Sequence, residues 1–370
     1  MAADGSGSRM SARVFRAIWQ HPHISRVEIA RNLGIEKSTV TVEVNKLLEQ
    51  GLVEETKEGD ASRNGGRKPI QLAICSTAGR IIGIDLQSDS YRAIAVDLLG
   101  NVLCEHTGDI DIDHDNFVKS AIHVIKECAR KLKGDSKLLG VGVGMSGLID
   151  SRHSNIRYSL PFGITEPIDF AKEIAGKLTF PCFIQNDADC CACGELAFNR
   201  SEDLRNFLFA LVKYNENCIH PAKRSTVSVG LGVVFNGKVF TGTHGCTGEF
   251  RSVLCDEAGT SLFSLEEKDL ARMMTDRKIL DKLADELARN IAFIVNIIDF
   301  DRVFIGGSIQ TYDIDLPGIL RSRLKDNWMY PEVAKNIKVT YSSLGSLAVA
   351  YGAAGMTFER LVTDNSLPAR

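Results

Sequence analysis

Residues 81–100 read IIGIDLQSDSYRAIAVDLLG. Two apolar runs flank a short polar turn, which predicts a hairpin of the kind that grips a nucleotide. The turn, Asp85 to Asp89, holds no glycine, so side chains crowd the backbone where a phosphate would have to approach. Outward from the hairpin, NVLCEHTGDI adds a third strand, and DNFVKSAIHVIKECARKL is an amphipathic helix. LLGVGVGMSGLID is then a buried strand running into a glycine-rich turn. A similar order returns with NFLFALVKY, STVSVGLGVVFNGKVFTG, the helix LDKLADELARNIAFIVNIID and the strand RVFIGGSI. Two successive αβ lobes imply an internal duplication with a cleft between them, a common place for a ligand.

The bulk figures bound this reading without choosing an activity. The chain has 370 residues, 44% hydrophobic and 25% charged, enough for two or three domains and too apolar for disorder. No run of 18 apolar residues occurs and the start lacks the apolar core of a secretion signal. The expectation is a cytoplasmic protein with no membrane partner. Ten cysteines fall short of disulfide-scaffold density and read as thiols. Cys190, Cys191 and Cys193 stand close enough to suggest zinc. No second pair lies at a matching distance, and three small apolar residues on a buried helix fit equally.

Charge is unevenly spread. Between Arg9 and Leu72 stand eleven Lys/Arg and eight Asp/Glu, a local +3, which leaves −6 on the remainder of a chain whose net charge is −3. A basic end on an acidic body suits a small nucleic-acid-binding module. Here Val14 and Ile18 mark one helix, Ile24 to Leu33 a second that stops at Gly34, and Val40, Val44, Leu47 and Leu48 the inner stripe of a third. LVEETKEG and RKPIQLAI follow as two strands, completing a winged helix-turn-helix. The third helix offers Lys37, Ser38, Thr39, Thr41 and Asn45, side chains suited to phosphates and base edges in a major groove. The loop between the strands adds Arg63, Arg67 and Lys68 beside two glycines, within reach of a minor groove or the backbone.

Five further segments carry a resemblance: GVGMSGLID, QNDADCCACGEL, GLGVVFNGKVFTGTHGCTGEF, VFIGGSI and YGAAG. Together they are similar to the ROK family of repressors, open reading frames and sugar kinases, in its repressor form. The resemblance implies an α/β fold: an N-terminal winged helix-turn-helix followed by a two-lobed actin/hexokinase-like (ribonuclease H-like) ROK domain. The expected limits are 9–72 for the DNA-binding domain, 78–190 for lobe 1 and 191–370 for lobe 2, with the C-terminal helix returning to lobe 1. It implies a monosaccharide or sugar phosphate in the cleft, met by Gly147, Asn186, Asp187 and Glu249, with Asp187 equivalent to the catalytic base of the kinases.

Departures from the family pattern decide against catalysis. Kinases resemble Asp-x-Gly-Gly-Thr in the first hairpin, where this chain has Asp85, Leu86, Gln87, Ser88 and Asp89; they resemble Gly-Thr-Gly in the second, where it has Thr226 and Ser228. Arg251 and Ser252 replace the Gly-His that relatives carry, Cys255 has no zinc loop after it, and Ser159 stands where relatives often have Asn. The expectation is therefore no catalytic residues, no metal and no cofactor. The chain reads as a sugar-responsive transcriptional regulator, a repressor binding operator DNA as a homodimer or tetramer. The alternatives are an ATP-dependent sugar kinase carrying a DNA-binding domain, and a constitutive DNA-binding protein.

Overall fold

The computed structural model describes residues 4–58, 69–199, 204–215, 226–255, 261–330, 332 and 336–363. At the N-terminus come α1 (Asp4–Gln20), β1 (Ile24–Ser25), α2 (Arg26–Leu33), α3 (Lys37–Glu49), β2 (Val53–Glu58) and β3 (Ile70–Ile74). The strands form a sheet in the order β1-β3-β2. The sequence expectation that helix two begins at Ile24 is corrected: Ile24 and Ser25 pair with Leu72 and Gln71. Ser25 then caps α2, its hydroxyl accepting from the Glu28 amide while the Glu28 carboxylate accepts from the Ser25 amide. Gly34 closes the helix in the left-handed region, φ +63°. Glu43 is a buried carboxylate on α3, accepting from the Ser11 hydroxyl and from Lys46 at 2.8 Å, and so pins α3 to α1.

The body is built on two five-stranded sheets laid out alike, with a smaller three-stranded sheet in the first lobe. Lobe 1 contains β4 (Arg80–Leu86), β5 (Ser90–Asp97), β6 (Val102–Asp109), α4 (Phe117–Lys131), β7 (Leu138–Met145), β8 (Leu148–Asp150), β9 (Asn155–Tyr158), β10 (Ile168–Asp169), α5 (Phe170–Ile174) and β11 (Cys182–Asn186). Its main sheet runs β11-β7-β4-β5-β6. The helix α6 (Asp187–Phe198) follows β11 directly. Lobe 2 contains β12 (Phe207–Tyr214), β13 (Val227–Phe235), β14 (Lys238–Val239), α7 (Glu267–Leu270), α8 (Arg277–Ile298), β15 (Arg302–Gly306), α9 (Leu316–Asn327) and β16 (Lys338–Tyr341). Its sheet is β14-β13-β12-β15-β16. In each sheet a first strand pairs antiparallel with the second and parallel with a later one, so the two match strand for strand. The boundary expected at 190/191 falls inside α6, an unbroken helix, so the lobes join after it.

The chain closes with α10 (Ala348–Thr363), which lies against β4 and β7 of lobe 1, against α6 and against α1. Its AVAYGAAGM run is small enough for backbones to touch. A Cβ on Gly83 would stand 1.8 Å from the Ala350 carbonyl oxygen, and one on Gly142 2.1 Å from that of Ala353. On α10 itself, a Cβ on Gly352 would meet the Cys190 carbonyl oxygen at 1.6 Å. Cys190, Cys191 and Cys193 are buried on α6, and burial holds their thiols well above the ordinary range. On its other face α10 shares one apolar core with the winged helix, in which Phe358 packs on Trp19 and Phe15 at ring separations of 4.7 and 5.7 Å. Trp19 Nε1 donates to the Leu98 carbonyl, and Arg16 pairs with Glu359. Because backbone atoms cannot yield, Gly352→Val should destabilise the protein by about 3 kcal/mol or more, read as a lowered midpoint in urea unfolding.

Candidate functional site

Two places in the fold gather the chemistry. On α3, Lys37, Ser38, Thr41 and Asn45 are exposed, while Thr39 is half-buried. The Thr41 hydroxyl donates to the Lys37 carbonyl, so within α3 it already has an acceptor. The same face carries Val42, 53% exposed, and Lys46. Val42 falls outside the inner stripe of Val40, Val44, Leu47 and Leu48, and the sequence reading gave it no role. An exposed aliphatic group between Thr41 and Asn45 suits the thymine methyl of a major groove. Arg63, Arg67 and Lys68 lie outside the described residues.

Between the lobes is a cavity of about 230 Å³. Gly147, Asn186, Asp187 and Glu249 all line it, with Lys213, Ser146, Ser228 and Tyr158. Asn186 is half structural: its Oδ1 accepts from the amides of Ala188 and Asp189, capping α6, and its Nδ2 donates to the Gly147 carbonyl at 3.0 Å. Glu249 sits beside Gly230 of β13, where Leu231 donates to the Gly248 carbonyl. Partial burial and the nearby Asp187 charge raise its carboxyl above the usual range. Ser159 and Ser252 do not line the cavity. Ser159 is buried and donates to the Ser146 carbonyl at 2.6 Å, and Ser252 accepts from Asn290 of α8 at 3.0 Å.

Lys213, missed in the sequence because it sits in an apolar strand run far from its partners, is the centre of the cleft. It stands on β12 of lobe 2, and its Nζ meets Asp187 Oδ2 at 2.9 Å and Asp85 Oδ1 at 3.8 Å. The two carboxylates belong to the α6 N-terminus and to β4 of lobe 1, so this ion-pair group spans the lobes. Burial opposes the Lys213 charge, yet Asp187 and Asp85 outweigh it and hold the ammonium above its ordinary value. Burial raises the Asp85 carboxyl, Lys213 opposing and Asp187 adding to the rise. Its Oδ1 accepts no hydrogen bond.

In each of the two hairpins where the kinases of the family receive phosphate, a backbone amide is bonded within the protein. The Gln87 amide donates to the Ser90 carbonyl at 2.9 Å across the turn, while the Ser88 and Asp89 carbonyls accept from Ile112 and Ile110, tying the turn to the segment after β6. In the second hairpin the Thr226 amide donates to the Glu267 carboxylate at 2.9 Å. A phosphate arriving there would have to displace an anion. Asp187, the base equivalent, already accepts from the Lys213 ammonium at 2.9 Å. Among the described residues no group of three or more His, Cys, Asp or Glu is arranged to hold a metal ion, and no helix is long and apolar enough to cross a membrane.

Residues 81–261 match the ROK family and residues 8–63 the MarR family. The chain carries a ROK-family domain behind a MarR-type helix-turn-helix. It is 24% identical to the xylose repressor of Bacillus spizizenii, over 94% of each chain. It is 24% identical to the DNA-binding transcriptional dual regulator NagC of Escherichia coli, over 84% of this chain and 83% of that one. Its fold matches the crystal structure of a ROK family transcriptional regulator, a homolog of the E. coli MLC protein, with a TM-score of 0.74 at 18% identity over 98% of both chains. The expected fold class is thereby found: winged helix-turn-helix followed by a two-lobed ROK domain.

Asp189, one turn into α6 of this ROK domain, yields a pH test. Burial, with the charges of Asp187 and Glu249, pushes its carboxyl up to about 8. The ordinary value is 3.8, so the folded state holds a proton the unfolded state releases, and this group's contribution to stability falls as pH rises from about 4 to about 8. Asp189→Asn, a neutral isostere, removes that loss. Its melting temperature should gain on that of the native protein steadily between pH 5 and 8, by about 5 °C in total, and stay level above.

Proposed function

We propose that the chain is a sugar-responsive transcriptional repressor that binds operator DNA in the cytoplasm as a homodimer and performs no phosphoryl transfer. One observation carries the reading: a helix exposing groove-reading side chains stands in the same chain as a kinase-like cleft in which an amide of each phosphate hairpin and the base equivalent are bonded within the protein. The similarity to repressors across nearly the whole chain supports it. A kinase with a regulatory end is disfavoured by the Lys213 contact on Asp187 and by Glu267 on the second hairpin.

DNA contact is assigned to Lys37, Ser38, Thr39, Thr41 and Asn45 on α3, with Arg63, Arg67 and Lys68 of the wing adding phosphate or minor-groove contacts. The sugar is assigned to Gly147, Asn186, Asp187 and Glu249. Two half-sites call for two copies, and lobe 2 offers a surface for the second. Phe293 and Ile297 on α8 are 51% and 66% exposed beside Met329 and Tyr330, brought together where Asn296 donates to the Asn327 carbonyl. Exposed apolar side chains gathered in this way mark an interface. Because the winged helix shares its core with lobe 1, a sugar that draws lobe 2 onto lobe 1 would change the geometry between the two DNA-binding domains of the dimer. It regulates only if it prefers one closure state.

The test is capture of genomic fragments by the purified protein, followed by release with a panel of monosaccharides. Sequence-specific capture with release by one sugar is expected; transfer of phosphate from ATP to any hexose, abolished by Asp187→Asn, would overturn the reading. On the captured site, Asn45→Ala should weaken binding by about 1 to 3 kcal/mol and relax base preference at one position. Arg67→Ala should weaken binding on all sequences and shallow the salt dependence.

A further inference from the structure

We propose that the cleft, whose cation Lys213 is already neutralised by Asp187 and Asp85, is selective for an uncharged, unphosphorylated monosaccharide and excludes the phosphate of the same sugar. This rests on the sugar-sensing reading and goes beyond it in fixing the charge of the effector. Among the described residues lining the cavity, Lys213 carries the single positive charge. That charge is already shared by Asp187 and Asp85, drawn in from two elements of lobe 1.

Once Lys213 is taken up in this way, the described wall keeps no uncompensated cation; its remaining side-chain donors are neutral, the hydroxyls of Ser146, Tyr158 and Ser228 and one amide hydrogen of Asn186. Among the described residues the Glu249 carboxylate on this wall has no hydrogen-bonding or ionic partner. Asp187 presents acceptor oxygens, and the amide nitrogen of Asn186 has one hydrogen committed to Gly147. Sugar hydroxyls donate as well as accept, so each can meet a carboxylate oxygen. A phosphate at neutral pH offers almost only acceptors and negative charge, and here it would lie among carboxylates in a partly water-excluded space where like charges repel strongly. The volume, about 230 Å³, accommodates one sugar ring. The second hairpin, where Glu267 sits on the Thr226 amide, offers no alternative seat for it.

The test is isothermal titration calorimetry on the full chain with pentoses, hexoses and amino-acetylated hexoses, each beside its terminal phosphate. At least one unphosphorylated sugar should bind, with its phosphate at least tenfold weaker. Glu249→Gln, on the open wall of the cleft, removes a negative charge without disturbing the ion-pair group and should narrow that ratio. A phosphate that binds as tightly as its parent sugar or more tightly overturns the proposal while leaving sugar sensing intact, and loss of that binding in Lys213→Met would identify the lysine as its anchor. Absence of binding by every sugar, phosphorylated or not, overturns both the proposal and the sugar-sensing reading.

Discussion

Everything in this molecule hangs on the contact between the small-residue face of α10 and the backbones beneath it. Gly83 on β4 and Gly142 on β7 let the helix lie with its carbonyls almost on the sheet, and Gly352 lets α6 pass equally close. Contacts at that range admit no side chain, so α10, α6 and the lobe 1 sheet form one unit. Two consequences follow from geometry. The N-terminus of α6, with Asp187, is fixed relative to β4, with Asp85, so both carboxylates stand ready for a cation from lobe 2. The outer face of α10 becomes a platform on which Phe15, Ile18 and Trp19 seat the winged helix, making it an extension of lobe 1.

The cleft shows how a kinase-like fold serves as a sensor. Catalysis on ATP needs vacant amides and a free base; here the amides of Gln87 and Thr226 are bonded within the protein and the base equivalent is ion-paired. Internal partners for buried polar groups are the ordinary outcome of folding. What the arrangement supplies is an inter-lobe tie whose charge balance a ligand alters on entry. Burying three ionised groups costs solvation, which their mutual attraction offsets only while all three stay in place.

Much of the fold was legible in the sequence, and the reasons differ by element. Periodicity placed α3, α4, α8 and the strands of both lobes, because amphipathic faces and buried runs are local properties. Ile24 was misread as helix because its pairing with Leu72 depends on a strand arriving nearly fifty residues later. The seam between lobes was drawn through α6, since nothing local says that a helix starting in one lobe packs on both. Of the cleft, Gly147, Asn186, Asp187 and Glu249 were placed by motif, and the structure gathers them on one cavity. Lys213 carried no motif; its role arises from Asp85 and Asp187, 128 and 26 residues away in sequence. Val42 likewise carried no motif; its exposure agrees with its place outside the inner stripe of α3.

The winged helix is built onto lobe 1, so a sugar that moves lobe 2 would move it against that joint unit. Electron–electron resonance distances among labels at the exposed positions Asn32, Lys133 and Lys282, introduced as unnatural amino acids, test it directly. On saturation with the sugar that binds, the 32–133 distance should hold constant while the 133–282 distance shifts. A changed 32–133 distance with an unchanged 133–282 distance would contradict the account.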